Sequence, residues 1–346
     1  MVAIDETTGG RPAAEVLAGV RDTVDPALRA AVETLPPSPQ AIAAYHFGWR
    51  DERGDPIGGA GGKLFRPALC LLAAQAAGGT AEDAVPAAVA VELVHNFSLL
   101  HDDVMDGDTT RRHRATAWSV FGMGGAVLAG DALLSLAFDT LAASGHPAAG
   151  DAVRRLNATV QRLIDGQSAD IDFERRADVD PAECRAMAEA KTGALLGCAC
   201  GLGAALGGGT PRQVQDLRRF GELLGLSFQI ADDLLGIWGD PATTGKPVHS
   251  DLRNRKKTLP VVAALTSAAA ESGELAALLA RDRPLHGAEL VRAAELVELA
   301  GGRSWGERES AVLLERALGH LRSAAAAAAP AAELADLARL ATRRDH

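Results

Sequence analysis

The sequence is poor in aromatic residues, which make up 4% of its 346 residues and include a single tyrosine. β-Sandwiches and barrels fill their pleated faces with aromatic and β-branched side chains, so this scarcity argues against both. Cysteine is scarce as well. Cys70, Cys184, Cys198 and Cys200 form no CxxC pair and have no histidine at zinc spacing. That excludes a disulfide framework or a zinc module and leaves small core residues in a reducing compartment. Positive charge is outweighed, with 35 Lys+Arg against 45 Asp+Glu and a formal net charge of −10. No broad basic surface is on offer, and nucleic acid is not expected as a partner. No GxxxxGK[ST] loop occurs, nor a strand leading into GxGxxG, which sets nucleotide chemistry aside. The N-terminus lacks the basic-then-apolar pattern of a signal peptide. The most apolar long stretch, 193–209, is short and glycine-rich, and reads as a buried helix rather than a membrane span. A cytoplasmic location is expected.

Alanine and leucine are what the chain has in quantity. With 47% hydrophobic and 23% charged residues, it supports a sizeable core and favours helix. Pro36, Pro37 and Pro39 separate an N-terminal helix from the next, and a loose, glycine-rich segment over 50–62 leads into a helix starting near Lys63 to Pro67. Helical patterns follow at about 81–106, 116–144, 147–173, 181–206, 211–238, 257–271, 286–300 and 303–322, with turn residues at the breaks. No run alternates with period two for long enough to make a sheet. The expected fold is all-α, one large helical bundle of ten or more helices spanning 1–346 as a single domain. Residues 1–10 are expected to be flexible. The tail, 324–346, with six alanines after Ser323 and then Pro330, suits either a plain helix or a second flexible end.

Two acidic stripes stand out. In ELVHNFSLLHDDVMDGD, His95, Leu99, Asp102, Asp103 and Asp106 fall at offsets 0, 4, 7, 8 and 11, one face of a helix. In SFQIADDLLGIWGD, Gln229, Asp232, Asp233, Gly236 and Asp240 fall at offsets 0, 3, 4, 7 and 11 if the helix continues. Clustered carboxylates repel one another and are disfavoured at a helix C-terminus. Two such clusters, each in an apolar segment, point to hard divalent cations, and Mg²⁺ suits carboxylates combined with phosphate oxygens. Basic residues complete the pattern: Lys63 and Arg66 in GGKLFRP, Arg111, Arg112 and Arg114 after the first stripe, Lys191, and then Lys246, Arg253, Arg255, Lys256 and Lys257 after the second. Metal on one side and cations on the other suit a diphosphate.

At these residues the chain resembles the trans-prenyl diphosphate synthases, the family that elongates isoprenyl chains head to tail. The resemblance covers roughly Lys63 to Pro260. It rests on the DDxxD motif of Asp102, Asp103 and Asp106 with the paired Arg111-Arg112, on GGKLFRP, on Lys191-Thr192, on Phe228-Gln229 before the second acidic motif, and on GDPATTGKP followed by DLRNRKKTLP. One departure is plain: the second motif reads Asp232-Asp233-Leu-Leu-Gly236, with Asp240 a turn further on as a partial substitute.

The resemblance implies an isoprenoid-synthase fold with a central cavity, a homodimer and no membrane span. It implies transfer of an allylic diphosphate (dimethylallyl, geranyl or farnesyl) onto isopentenyl diphosphate, with three Mg²⁺ ions per active site. Asp102 and Asp106 would hold two ions and Asp232 the third, with Asp103 and Asp233 also counted among the ligands. Arg111, Lys191 and Lys246 would neutralise the departing diphosphate. Lys63, Arg66, His95 and Arg112 would bind isopentenyl diphosphate without metal, and Lys256 is a further substrate-binding residue. Thr192 and Gln229 would aim oxygens at the allylic cation. Phe97 and Ser98, five and four positions before Asp102, would set product length; one aromatic at the deeper position favours C20 over C15. Two alternatives are a class I terpene cyclase and a non-catalytic regulatory subunit. The first lacks its usual second metal motif here, because Asn96, Asn157 and Asn254 do not begin NxxxSxxxE. The second is hard to reconcile with five retained aspartates.

Overall fold

The computed structural model describes residues 10–57, 62–176, 178–240, 248–281 and 283–342; Lys246 lies outside them. Helices α1 (Ala13–Val32), α2 (Pro37–His46), α3 (Phe65–Ala77) and α4 (Ala81–Asp106) lead into a hairpin of two two-residue strands, β1 (Thr110–Arg111) and β2 (Arg114–Ala115). Then come α5 (Ala117–Phe121), α6 (Met123–Ala142), α7 (Ala149–Phe173), α8 (Pro181–Ala188), a π-turn (Glu189–Gly193), α9 (Ala194–Leu206) and α10 (Pro211–Trp238). The last are α11 (Ser250–Arg253), α12 (Leu259–Leu265), α13 (Glu271–Leu279), α14 (Ala288–Leu299), α15 (Gly302–Ala324) and α16 (Ala328–Thr342). The fold is all-α, as expected. Two compact units share the chain: unit 1 runs to Val160 and adds Leu195–Gly221 and His320–Asp336, while unit 2 holds Gln161–Ala194, Glu222–Gly319 and the residues from Leu337 on.

Unit 1 is organised on α4. Its N-terminus is fixed by a capping box in which Thr80 and Asp83 each accept the other's backbone N–H, and Gly107, at φ 68°, ends it. α4 is apolar almost all round, and it packs against α3 and α6. By length and composition α4 and α6 are also long and apolar enough to cross a membrane, yet α4 carries the buried polar residues Glu92 and Asn96. α1 offers Val16, Val20, Val24, Leu28 and Val32, one every turn, to the same core. The glycines of the apolar stretch 193–209 have a packing reason. A Cβ on Gly203 would lie 2.0 Å from the Cys70 carbonyl oxygen, and one on Gly207 would lie 2.8 Å from the Ala74 backbone. α9 and α3 are therefore in backbone contact, and α9 is a buried helix. All four cysteines are free and buried.

Unit 2 packs Ile237, Leu252, Val261, Leu275, Leu290 and Val297 into one cluster. α8 starts on Asp180, whose carboxylate accepts from the Ala182 and Glu183 amides at 2.7 and 2.9 Å.

The boundaries differ from expectation in five places. The helix expected over 116–144 breaks at Gly122, whose φ of 82° no continuous right-handed helix allows. The helix expected over 181–206 is interrupted by the π-turn, where a Cβ on Gly166 would lie 2.6 Å from the Lys191 amide nitrogen. The helix expected over 257–271 ends at Leu265, because the Ser267 and Ser272 hydroxyls bond each other and Ser272 bonds the Ala264 carbonyl. Two helices, α11 and α13, lie where none was expected. Of the two forms left open for the tail, the helix is the one observed: α16 buries Ala331, Leu334 and Ala335, and Glu333 takes Arg11 in a two-pronged ion pair at 2.9 and 3.0 Å.

Candidate active site

Each unit carries part of the expected residue set. In unit 1, α4 ends in the first acidic motif, but its three carboxylates are not equivalent. Asp102 is half-buried and Asp106 exposed, one turn apart on one face, whereas Asp103 is buried. Asp103 Oδ1 accepts from Arg111 Nε at 2.7 Å, and its other oxygen is buried without a hydrogen-bond partner. Burial pushes the Asp103 carboxyl up to about 6 against the pull of Arg111. Asp103 thus spends one oxygen on orienting Arg111.

The hairpin that delivers Arg111 turns through Arg112 and His113, both at positive φ (52° and 61°). Such a turn usually takes Asn-Gly, and a bulky side chain there is strained. The surroundings hold it in place. Arg114 lies 4.3 Å over the Tyr45 ring, the Tyr45 hydroxyl donates to the Ala115 carbonyl at 2.8 Å, and Trp118 Nε1 donates to the Asp108 carbonyl at 2.8 Å.

A cationic group forms between α3 and α4. Arg66, in the first turn of α3, places Nη1 3.1 Å from His95 Nε2 on α4. A Cβ on Gly62 would lie 3.0 Å from Arg112 Nη2, so glycine there admits the guanidinium. Lys63 is exposed. Burial together with neighbouring positive charge pushes Arg66 down to about 10 and His95 well below its ordinary range, although Glu92 pulls Arg66 back up. Burial lowers Arg112 in the same way, and His46, beside Arg112 and Arg111, falls to about 3. Glu92 is the buried carboxylate in this group, and its Oε1 accepts from Asn96 Nδ2 at 3.0 Å. Periodicity gave no reason to select Glu92, because it lies in a run of apolar residues.

In unit 2 the π-turn carries Lys191 and Thr192. Lys191 Nζ meets Asp170 Oδ2 at 2.6 Å. Thr192 does not bond back to its own helix; its hydroxyl donates to Gln229 Oε1 at 2.6 Å. Gln229 Nε2 donates to Asp233 Oδ1 at 2.8 Å, and Asp233 Oδ2 accepts from the Leu259 amide at 3.1 Å. This relay fixes the orientation of the Gln229 amide and employs both oxygens of the buried Asp233. Asp232, its neighbour, is exposed. Asp170, Lys191, Gln229, Asp232, Asp233, Asp251 and Lys256 all line one cavity. Asp240 does not line it, because α10 stops at Trp238 and the expected last turn of the stripe is not helical. Asp170, a polar residue in the helical pattern of α7, belongs here too; Gln167, on the same helix, does not line the cavity. Gln167 is buried with both amide atoms unpartnered, a polar cost that a folded chain seldom carries without use.

These residues fit a hard cation. The donors are carboxylate oxygens: Asp102 is half-buried and Asp106 and Asp232 are exposed to solvent, whereas Asp103 and Asp233 are buried and hydrogen-bonded to Arg111 and Gln229. Among the described residues no group of three or more His, Cys, Asp or Glu is gathered into a metal cage. Mg²⁺ does not require one, since it takes one or two carboxylates and fills its shell with water and phosphate oxygens.

A model of the family described as polyprenyl synthetase matches residues 51–297. The chain is 48% identical over 299 residues to the (2E,6E)-farnesyl diphosphate synthase of Mycobacterium tuberculosis H37Rv, covering 85% of this chain and 83% of that protein. It is 44% identical over 310 residues to the geranylgeranyl diphosphate synthase of the same organism, covering 89% of each. Among solved structures, a polyprenyl synthetase from Streptomyces coelicolor A3(2) matches with a TM-score of 0.91 at 47% identity, over 95% of this chain and 99% of that one.

Proposed function

The chain belongs to the polyprenyl synthetase family, and from that membership we propose that it is a short-chain synthase whose favoured product is geranylgeranyl diphosphate. It is a Mg²⁺-dependent prenyltransferase that condenses isopentenyl diphosphate with an allylic diphosphate and releases diphosphate. Neither a terpene cyclase nor a non-catalytic subunit finds support among its relatives. The observation that carries the reading of the site is the cavity of unit 2, where carboxylates and lysines line the same walls beside the Thr192–Gln229 pair.

Asp102, Asp106 and Asp232 would hold the Mg²⁺ ions, three in all; when bound, these neutralise charge building on the departing diphosphate. Arg111, oriented by Asp103, and Lys191, paired with Asp170, would add cationic donors to the same group. Lys246 is assigned to it by the resemblance alone, and Lys256, which lines the cavity, is proposed as a further substrate-binding residue. Thr192 and Gln229 hold oxygen dipoles in fixed orientation, ready to face an allylic cation. Lys63, Arg66, His95 and Arg112 would take the diphosphate of isopentenyl diphosphate. No side chain stands out as a base, and the released diphosphate is the proposed proton acceptor. Both units are proposed to serve this one reaction as a single catalytic domain. The free, buried cysteines suit the reducing conditions of the cytoplasm.

α4 carries the two residues proposed to set product length. Phe97 is 6% exposed and meets His101 edge to face at 4.7 Å, and His101 Nε2 lies 3.0 Å from the Val127 carbonyl of α6. The aromatic ring is thereby held on the α6 side. Ser98, small and half-buried, lies four residues before Asp102 and so one turn below it on the same face. A chain growing down that face would pass the small Ser98 and meet the Phe97 ring only at the deeper position, which favours C20 over C15. The test is to supply dimethylallyl, geranyl or farnesyl diphosphate with isopentenyl diphosphate and Mg²⁺ and to identify the products. Ser98→Phe is expected to shorten the product and Phe97→Ala to lengthen it. An unchanged distribution in both variants would refute the assignment.

A homodimer is proposed from the resemblance, and the exposed Met123 and Leu128 of α6 offer apolar surface for it. Light scattering is expected to give twice the 35.7 kDa of one chain; a mass equal to one chain would contradict it.

A further inference from the structure

The second acidic motif has Gly236 where the family pattern has its third aspartate. A Cβ built on Gly236 would lie 2.0 Å from Oδ2 of Asp251 and 2.6 Å from its Cγ, separations that non-bonded atoms do not sustain. The Asp251 carboxylate therefore rests on the bare Cα of Gly236. Gly236 is one helical turn beyond Asp232, on the same face of α10. A side chain at position 236 and this placement of the Asp251 carboxylate exclude each other.

The short helix α11 brings Asp251 there, and α10 docks α11 through its own C-terminal carbonyls. Those carbonyls have no partner within the helix. His249, in left-handed backbone at φ 62°, sets Nδ1 2.6 Å from the Ile237 carbonyl oxygen, and the Ser250 hydroxyl donates to the Gly236 carbonyl at 3.4 Å. On the far side of α11 the Lys256 amide donates to the Asp251 carbonyl at 2.9 Å. Asp251 is fixed along its backbone on both sides, and it lines the cavity with Asp232, Asp233, Lys191 and Lys256.

We propose that Asp251 supplies the third acidic group of the second motif, its carboxylate reaching from α11 into the place that Gly236 leaves open on α10. This rests on the reading of the cavity as a Mg²⁺–diphosphate site. Asp251 then acts as a positioning residue toward the ion held by Asp232, through one of the waters that Mg²⁺ retains. Asp240, next in sequence after the helix end, is outside the cavity lining.

The arrangement has a reciprocal consequence. Gly236→Ala adds a methyl group that displaces the Asp251 carboxylate and puts no acid in its place. Gly236→Asp combined with Asp251→Ser returns the acid to α10 and removes the obstruction. The experiment is calorimetric titration of the full chain with inorganic diphosphate, with and without Mg²⁺, and its readout is the Mg²⁺-dependent gain in affinity. Asp232→Ala is expected to abolish that gain. Asp251→Asn and Gly236→Ala are each expected to reduce it by about 10- to 100-fold, the range for residues acting through a ligand or its water. The double variant is expected to restore it, and circular dichroism verifies the fold of each protein. If Asp232→Ala removes the gain while Asp251→Asn leaves it intact, or if the double variant fails to restore it, the role of Asp251 is overturned and the reading of the site stands. If Asp232→Ala keeps the full gain, the reading of the site itself is overturned.

Discussion

Replacing Asp102 or Asp232 with alanine is expected to lower kcat by about 10²- to 10³-fold or more, the loss seen when one group stabilising transition-state charge is removed. Far-UV circular dichroism and the melting temperature should stay close to those of the parent. Asp102 is half-buried and Asp232 exposed, so truncating either removes no fully buried side chain. An ion held against the leaving group stabilises charge that grows during ionisation, so kcat should fall more than KM rises. The neighbouring aspartates should behave differently. Asp103→Ala leaves Arg111 without its 2.7 Å partner, and Asp233→Ala leaves Gln229 and the Leu259 amide without theirs. Those variants should lose stability as well as rate. Steady-state kinetics beside thermal melts of all four proteins make the comparison. Near-parental turnover in Asp102→Ala or Asp232→Ala would sink the metal assignment.

The contrast between adjacent aspartates marks how far the sequence could be read. Offsets of 0, 4, 7, 8 and 11 place Asp102, Asp103 and Asp106 on one helical face, but such a face spans about 100°, and periodicity cannot say which carboxylate turns inward. Arg111 decides that, and its approach depends on a hairpin with two residues in left-handed backbone. Lys191, Thr192 and Gln229 were legible as motif residues, whereas the Thr192–Gln229–Asp233 relay needs a π-turn packed on Gly166, which no local pattern announces. Asp170 looked like an ordinary polar residue of α7 because its partner lies 21 positions along the chain. The all-α fold was legible because alanine, leucine and the 3.6-residue period agree across nearly every segment. Errors gathered at Gly122 and at Ser267, where single residues settle the boundary; the alanine-rich tail, open to either helix or flexible end, is settled by the long-range Arg11–Glu333 ion pair.

Unit 1 should bind inorganic diphosphate without any divalent metal, and binding should raise its melting temperature. Arg66 and His95 touch at 3.1 Å, Arg112 crowds Gly62, and burial with mutual repulsion pushes all three toward their neutral forms. Glu92 answers only part of that charge, and burial pushes its own carboxyl upward. The unliganded protein thus holds positive charge in poor solvation, a debt that an incoming dianion relieves. At a diphosphate concentration 100 times Kd the native state gains about 2.7 kcal/mol, provided the unfolded chain does not bind. Arg66→Met keeps an apolar stem and removes the charge. It should erase the metal-free melting shift and raise KM for isopentenyl diphosphate by about 10- to 100-fold, the value of a hydrogen bond to a charged group at roughly 1.5–3 kcal/mol. KM for the allylic diphosphate should hardly move. Melting scans in a chelator, paired with kinetics varying one substrate at a time, separate the two diphosphate positions. If the shift appears only with Mg²⁺ and Arg66→Met raises the allylic KM instead, Arg66 serves the allylic diphosphate, and the assignment of the two substrates must be exchanged.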